Sequence, residues 1–274
     1  RVAAPEGWQQ AYARFCAAGW LGLSLPVEFG GQGLPKLAST PVMEMWNASN
    51  MAFTMLPILN QGQAEALRIA ASAEQKRTWL PKVVSGEWGS TMNLTEPQAG
   101  SDLAATRTRA EPQADGSYKL FGQKIFISYG EHELTPNIVH LVLARLPDAP
   151  AGVKGLSLFI VPKFLVEPDG SLGARNDVRC ISIEHKMGIH GSPTCTLSFG
   201  DGGGATGWLV GEPNRGLEVM FVMMNEARFG VGVQGVALAE RAYQMALGYA
   251  RERVQGRDAV SGASGQPILC HPDV

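Results

Sequence analysis

Little in this sequence marks it for a metal, a membrane or a nucleic acid. Its 274 residues hold four cysteines, Cys16, Cys180, Cys195 and Cys270, with no C-x-x-C spacing. That argues against a zinc site or a disulfide framework and fits a reducing, cytoplasmic compartment. No apolar run reaches the roughly 18 residues of a spanning helix. No long Lys/Arg-rich stretch occurs, and the formal net charge is −2. No global basic field therefore draws nucleic acid or a membrane surface, and attraction for an anionic ligand has to be local. There is no internal repeat. The one low-complexity patch, GDGGGATG at 200–207, reads as a flexible loop. The start, RVAAPEGWQQ, carries neither an initiator Met nor a signal peptide, and the end, QPILCHPDV, has no helix-stop signal. Both ends read as cut.

What is present is an ordinary 45% hydrophobic fraction, enough to bury a sizeable core. Residues 1–88 read as an N-terminal helical domain. Trp8, Tyr12 and Phe15 recur at helical spacing, and AAGWLGLSLPVEFGGQGLP then interrupts as a Gly/Pro-rich surface loop. Pro41 to Asn60 reads as a buried helix and Ala73 to Pro81 as a short amphipathic one that serves packing. Residues 89–212 change character. YKLFGQKIFIS, NIVHLVLARL, GLSLFIVPKFLV and CTLSF are β-branched and aromatic runs bounded by turn residues. They predict a middle antiparallel β-domain, barrel-like or sandwich-like. Residues 213–274 return to a helical period from Gly216 to about Gln255, the start of a C-terminal helical domain. Glycines inside it cost about 1 kcal/mol each against Ala, which points to close helix packing. The fold class expected is α+β.

Two stretches suggest chemistry. In MNLTEPQAGSDLAATRTRA, 92–110, Thr95 offers a hydroxyl, Pro97 and Gly100 force a turn, and Asp102 can accept from local backbone amides. Such a turn aims N–H groups and hydroxyls at one spot, which suits a phosphate or the edge of an electron-rich ring. By itself it would serve equally as a strand cap. In GQKIFISYG, 122–130, Phe126 and Ser128 sit two residues apart on one strand face. An aromatic and a hydroxyl on one side suit a flat heteroaromatic ring, and they also suit a half-buried strand with nothing bound.

Together these motifs, T-E-P-x-x-G-S-D followed by G-Q-K-x-F-I-S-x-G, resemble the acyl-CoA dehydrogenase family. GWLGLSLPVEFGGQGLP at 19–35, EQKRTWLPKVVSGEWGSTMNLTEP at 74–97, KMGIHGSPT at 186–194 and NEARFGVGVQGVALAERAYQMALGYARERVQGR at 225–257 are similar to further family segments, in the family's order. The resemblance covers nearly the whole chain. KMGIHGSPTC and GWLVGEPNRGLEVMF are most like the longer bacterial branch that includes 3-methylmercaptopropionyl-CoA dehydrogenases.

The resemblance implies FAD as cofactor and α,β-dehydrogenation of an acyl-CoA thioester. It places Leu94, Thr95, Gly100, Ser101, Phe126 and Ser128 at the flavin, with Ser101 also facing the pantetheine of the substrate. Asn225 and Arg228 fall where relatives contact acyl-CoA, the other reading of Arg228 being a salt bridge to a neighbouring Glu. Arg253 matches an arginine that reaches FAD across a subunit interface, although the R-x-x-F-G pattern is here Arg253-Val254-Gln255-Gly256, one residue shorter and without the Phe. The family's carboxylate base lies beyond Val274 in most relatives. In a minority it occupies the position of Ala227, and Glu226 would project about 100° away on a helix. No catalytic base is expected in this chain, which reads as C-terminally incomplete and inactive alone. The partners implied are an acyl-CoA, an electron-transfer flavoprotein as acceptor, and further copies in a homodimer or homotetramer. An acyl-CoA oxidase, a non-catalytic nucleic-acid-binding relative and an inactive fragment are the rival readings.

Overall fold

The computed structural model describes residues 2–272 and 274. Its first layer is helical. Helix α1, Trp8–Ala17, lays Trp8 and Phe15 edge-on to Phe53 at 5.5 and 5.7 Å between ring centroids. Phe53 belongs to α2, Lys36–Ala70. This element is longer than the helix expected at 41–60 and is broken inside. Asn50 has φ −158° and ψ 91°, and its Oδ1 accepts from the Phe53 amide at 3.1 Å, so it caps the second half like a helix N-terminus. Helix α3, Ala73–Ser85, opens on a capping box between Ser72 and Gln75 and stops at Gly86, whose φ of 78° suits glycine. Trp79, Leu80, Val83 and Val84 are buried beneath it.

Among the described residues ten strands follow: β1 Trp88–Asn93, β2 Arg109–Pro112, β3 Tyr118–Ser128, β4 Asn137–Arg145, β5 Leu156–Pro162, β6 Phe164–Val166, β7 Leu172–Arg175, β8 Val178–Ile183, β9 Thr194–Phe199 and β10 Ala205–Val210. The main sheet runs β1-β4-β5-β10-β3-β9-β8, and β2 pairs with both β3 and β4. That closes β2, β4, β5, β10 and β3 into a ring around Leu120, Val142, Phe159 and Val161, all fully buried. The pairing is antiparallel except where β1 and β2 meet β4. The parallel β1–β4 pairing arises because the chain leaves β1 into a long loop and a hairpin before β4 returns beside it. The GDGGGATG segment is loop only to Gly204; Ala205 already opens β10.

Helix α4, Gly216–Glu252, packs along α2. Gly230 approaches α2 closely, since a Cβ there would lie 3.2 Å from Ile58 Cγ2, whereas Gly232 and Gly235 face open space. The packing expected of these glycines therefore holds at Gly230 and fails at the other two.

Candidate functional site

The loop after β1 folds back on itself. Glu96 and Ala99 exchange backbone hydrogen bonds, amide to carbonyl, at 2.9 and 3.0 Å. Pro97 and Gln98 occupy the corner, and Gly100 follows it with no left-handed φ. The turn is thus made by 96–99, with Gly100 outside its corner. Asp102 Oδ1 accepts from the Ala104 amide at 2.9 Å, the local contact expected of it.

Strand β3 runs alongside this loop and departs from regular pairing at one place. Lys124 pairs with Leu197 of β9, and Ile127 with Cys195, so the register shifts between them. Within that bulge Phe126 has φ 60°, an uncommon and strained conformation for an aromatic residue. Its ring is 58% exposed, while Ile127 next to it is 2% exposed and Ser128 is half-buried. The Ile125 amide donates to the Thr95 carbonyl at 2.9 Å, so the loop fills the gap that the bulge opens. Just past the strand comes Tyr129, also at positive φ, whose hydroxyl donates to the Ala52 carbonyl of α2 at 2.7 Å.

The Ile125–Thr95 hydrogen bond thus sets the loop against β3; Leu94, Thr95 and Ser128 are half-buried, Phe126 is exposed, and Gly100 and Ser101 are exposed just beyond the turn. The side-chain hydroxyls of Thr95, Ser101 and Ser128 make no hydrogen bond to any described residue. Unengaged hydroxyls on this loop and strand, together with the exposed Phe126 ring, are the kinds of group that can hold a planar, heteroatom-bearing ligand.

Two residues that sequence reading passed over hold this surface together. Lys124 is 0% exposed and Glu96 3%, and Nζ lies 2.8 Å from Oε1. Both belong to the quoted motifs, and a charged residue at an inward position of a strand was the available signal. Burial opposes ionisation of Glu96, but the Lys124 charge and the donors around the carboxylate outweigh it and hold its pKa down, at about 2.

Asn225 and Arg228 share a face of α4. Arg228 Nη1 donates to Asn225 Oδ1 at 3.3 Å, and the guanidinium lies 5.3 Å from the Phe221 ring centroid. Arg228 makes no ion pair among the described residues; Glu226 pairs instead with Lys36. Arg253 caps the far end of α4, about 37 Å of helix axis beyond Arg228. Its side chain donates to Gln255 Oε1 at 2.9 Å, and no described contact joins it to the loop or to β3. A cleft of about 840 Å³ opens elsewhere, between α3 and the β6–β7 hairpin, lined by Trp79, Trp88, Trp208 and Glu167.

Residues 3–87 match the family model described as "Acyl-CoA dehydrogenase, N-terminal domain", and residues 91–201 match "Acyl-CoA dehydrogenase, middle domain". The chain belongs to the acyl-CoA dehydrogenase family. The acyl-CoA dehydrogenase middle-domain match contains the loop at 94–101 and both Phe126 and Ser128, whereas Asn225, Arg228 and Arg253 lie outside either match. Over all of its length the chain is 53% identical to a 3-methylmercaptopropionyl-CoA dehydrogenase of Ruegeria pomeroyi and covers 46% of that protein. Over 93% of its length it is 43% identical to a butyryl-CoA dehydrogenase of Syntrophomonas wolfei, covering 42% of it. Among solved structures, an acyl-CoA dehydrogenase of Bacillus anthracis complexed with FAD superposes with a TM-score of 0.76 at 29% identity, over 95% of this chain and 40% of that one. The chain thus spans less than half the length of these acyl-CoA dehydrogenases. None of its described helices is long and apolar enough to cross a membrane.

Proposed function

We propose that this protein serves FAD-dependent α,β-dehydrogenation of an acyl-CoA thioester. The observation that carries the reading is Phe126, a strained and exposed aromatic residue on the strand to which the Thr95 loop is hydrogen-bonded, with the hydroxyls of Thr95, Ser101 and Ser128 left unengaged. Those residues fit a flavin. On this reading the Phe126 ring packs against the isoalloxazine and the Ser128 hydroxyl donates to a ring nitrogen. Thr95 and the Leu94 backbone reach the pyrimidine side, and Gly100 and Ser101 lie near the pyrophosphate. Bound FAD supplies the hydride acceptor, while the protein supplies alignment and electrostatics.

Asn225 and Arg228 are the proposed contacts for the CoA part of the substrate, and Arg228 retains its charge for an anionic group. The α-proton of a thioester is only weakly acidic, so its removal needs a carboxylate and donors at the thioester oxygen. Ala227 supplies no carboxylate, and Glu226 is engaged by Lys36. The base is therefore not assigned to either position. On the same reading Arg253 acts across a subunit interface, an electron-transfer flavoprotein accepts the electrons, and the protein forms a homodimer or homotetramer. The family resemblance supports these three assignments.

The test is an absorbance spectrum of the purified protein after incubation with FAD and removal of excess. Retained flavin bands that bleach on anaerobic addition of an acyl-CoA are the expected result. A folded sample that keeps no flavin overturns the reading, and turnover with oxygen alone moves it to an acyl-CoA oxidase.

A further inference from the structure

The loop and the strand of the proposed flavin surface are joined by a buried ion pair with an unusual number of partners. Lys124 Nζ donates to Glu96 Oε1 and also to the Leu94 carbonyl, at 2.8 and 2.9 Å. The Glu96 carboxylate accepts four further hydrogen bonds. Oε1 takes the Thr108 amide at 3.0 Å and the Thr108 hydroxyl at 2.6 Å. Oε2 takes the Arg107 amide at 2.7 Å and the Gln98 side chain at 2.6 Å. Three chain segments, 94–98, 107–108 and β3, thus meet at one carboxylate.

Position matters more here than charge. Lys124 is the last residue of β3 in register with β9 before the bulge that presents Phe126. Glu96 forms one side of the turn that presents Thr95, Gly100 and Ser101. The pair therefore sets the spacing between the two halves of the surface. A buried ion pair is weak evidence for stability, because removing two charges from water offsets most of their attraction. Its better-attested use is to select one arrangement over near alternatives.

We propose that Glu96 and Lys124 are positioning residues for the flavin, fixing the loop at 94–101 against the bulge of β3, so that their loss lowers flavin affinity independently of stability. This inference rests on the flavin reading above. An apolar pair of similar volume, Lys124→Met with Glu96→Met, removes both charges together, so that neither is left buried alone, at the cost of some stability from the Thr108 groups left without an acceptor. It leaves the Leu94 carbonyl and the Arg107 and Thr108 amides without their anchors, which frees the loop to shift.

The experiment titrates the wild-type protein and this double variant with FAD, and compares their urea midpoints. The expected result is a lowered but cooperative urea transition that leaves the variant folded in the binding assay, with a Kd for FAD raised tenfold or more. A rise smaller than tenfold overturns the positioning role. Should the double variant not fold, Glu96→Gln is read in its place by the same tenfold criterion. A wild-type protein that takes up no FAD overturns the flavin reading and this inference with it; tight wild-type binding with unchanged variants overturns the inference alone.

Discussion

Lys36, at the first position of α2, holds Glu226 of α4 at 2.5 Å between Nζ and Oε2. Arg228 lies only two positions further along the same helix, yet Glu226 turns to Lys36, and among the described residues the guanidinium meets Asn225 and no carboxylate. Such pairs between half-exposed groups contribute little stability on their own. The effect here is on availability: a cation with no carboxylate beside it is free to meet an anionic ligand.

Replacing Arg228 by Ala should therefore weaken binding of an acyl-CoA about tenfold, or roughly 1.4 kcal/mol. The urea midpoint should move little, because Arg228 is exposed. Calorimetric titration of the flavin-loaded protein with an acyl-CoA at two salt concentrations checks this. Equal affinity in variant and wild type removes Arg228 from the substrate site.

Phe126 gives a prediction in which stability and binding move in opposite directions. Phe126→Gly places at φ 60° the residue that adopts this conformation without steric cost. Stability should stay level or rise by about 1 kcal/mol, since little buried surface is lost. Flavin affinity should fall. The neighbouring Ile127→Ala, at 2% exposure, should instead lose about 2–4 kcal/mol. Urea unfolding of both variants, with FAD titration of the first, separates the two roles; a strong loss of stability in Phe126→Gly would show that its ring packs within the fold.

His132 and His140 supply the pH dependence. Burial, followed by the nearby Lys163 charge, pulls both down to about 3. Each stays neutral in the folded chain while its unfolded counterpart takes up a proton near pH 6.5. The stabilisation is therefore complete above 6.5 and declines as pH falls from there towards 3. At pH 5 the loss is about 2 kcal/mol per histidine. Urea midpoints measured between pH 7.5 and 5 should fall steadily, and a flat profile would contradict the burial of these neutral rings. At His140 the ring nitrogen Nδ1 meets Thr91 Oγ1 at 2.7 Å, so His140→Gln should flatten part of that slope.

Arg241 of α4 donates to the Ala48 and Ser49 carbonyls, the second at 3.1 Å, where the first half of α2 ends at the Asn50 break. Those carbonyls have lost their helical partners. Because Arg241 is exposed, Arg241→Ala should cost only about 1 kcal/mol overall. Its larger effect should be local: faster amide exchange in 51–54, read by hydrogen–deuterium exchange. Unchanged exchange there would mean that Asn50 alone holds the break.

Local chemistry made much of this fold legible. Hydrophobic period and turn residues marked α1, α3, α4, β3, β4 and β5, and β3 begins and ends where YKLFGQKIFIS does. Two motifs marked the surface around Thr95 and Phe126, because a turn and a strand reveal themselves through short-range residue preferences. Strands β1 and β8 were not legible. WGSTMN and VRCISI mix small, polar and apolar residues, and only pairing with β4 and β9 makes strands of them.

What the sequence by itself determined was the order of helices and strands and the α+β class, consequences of patterns a few residues long. What the tertiary structure alone decided was where distant groups meet. At the Asn50 break an arginine 191 positions away donates to the freed carbonyls, and next to the bulge at Phe126 stands a lysine whose carboxylate partner lies 28 residues earlier. Buried ion pairs and capped helix breaks are set by long-range packing, and their strength comes from the exclusion of water that only the assembled fold provides.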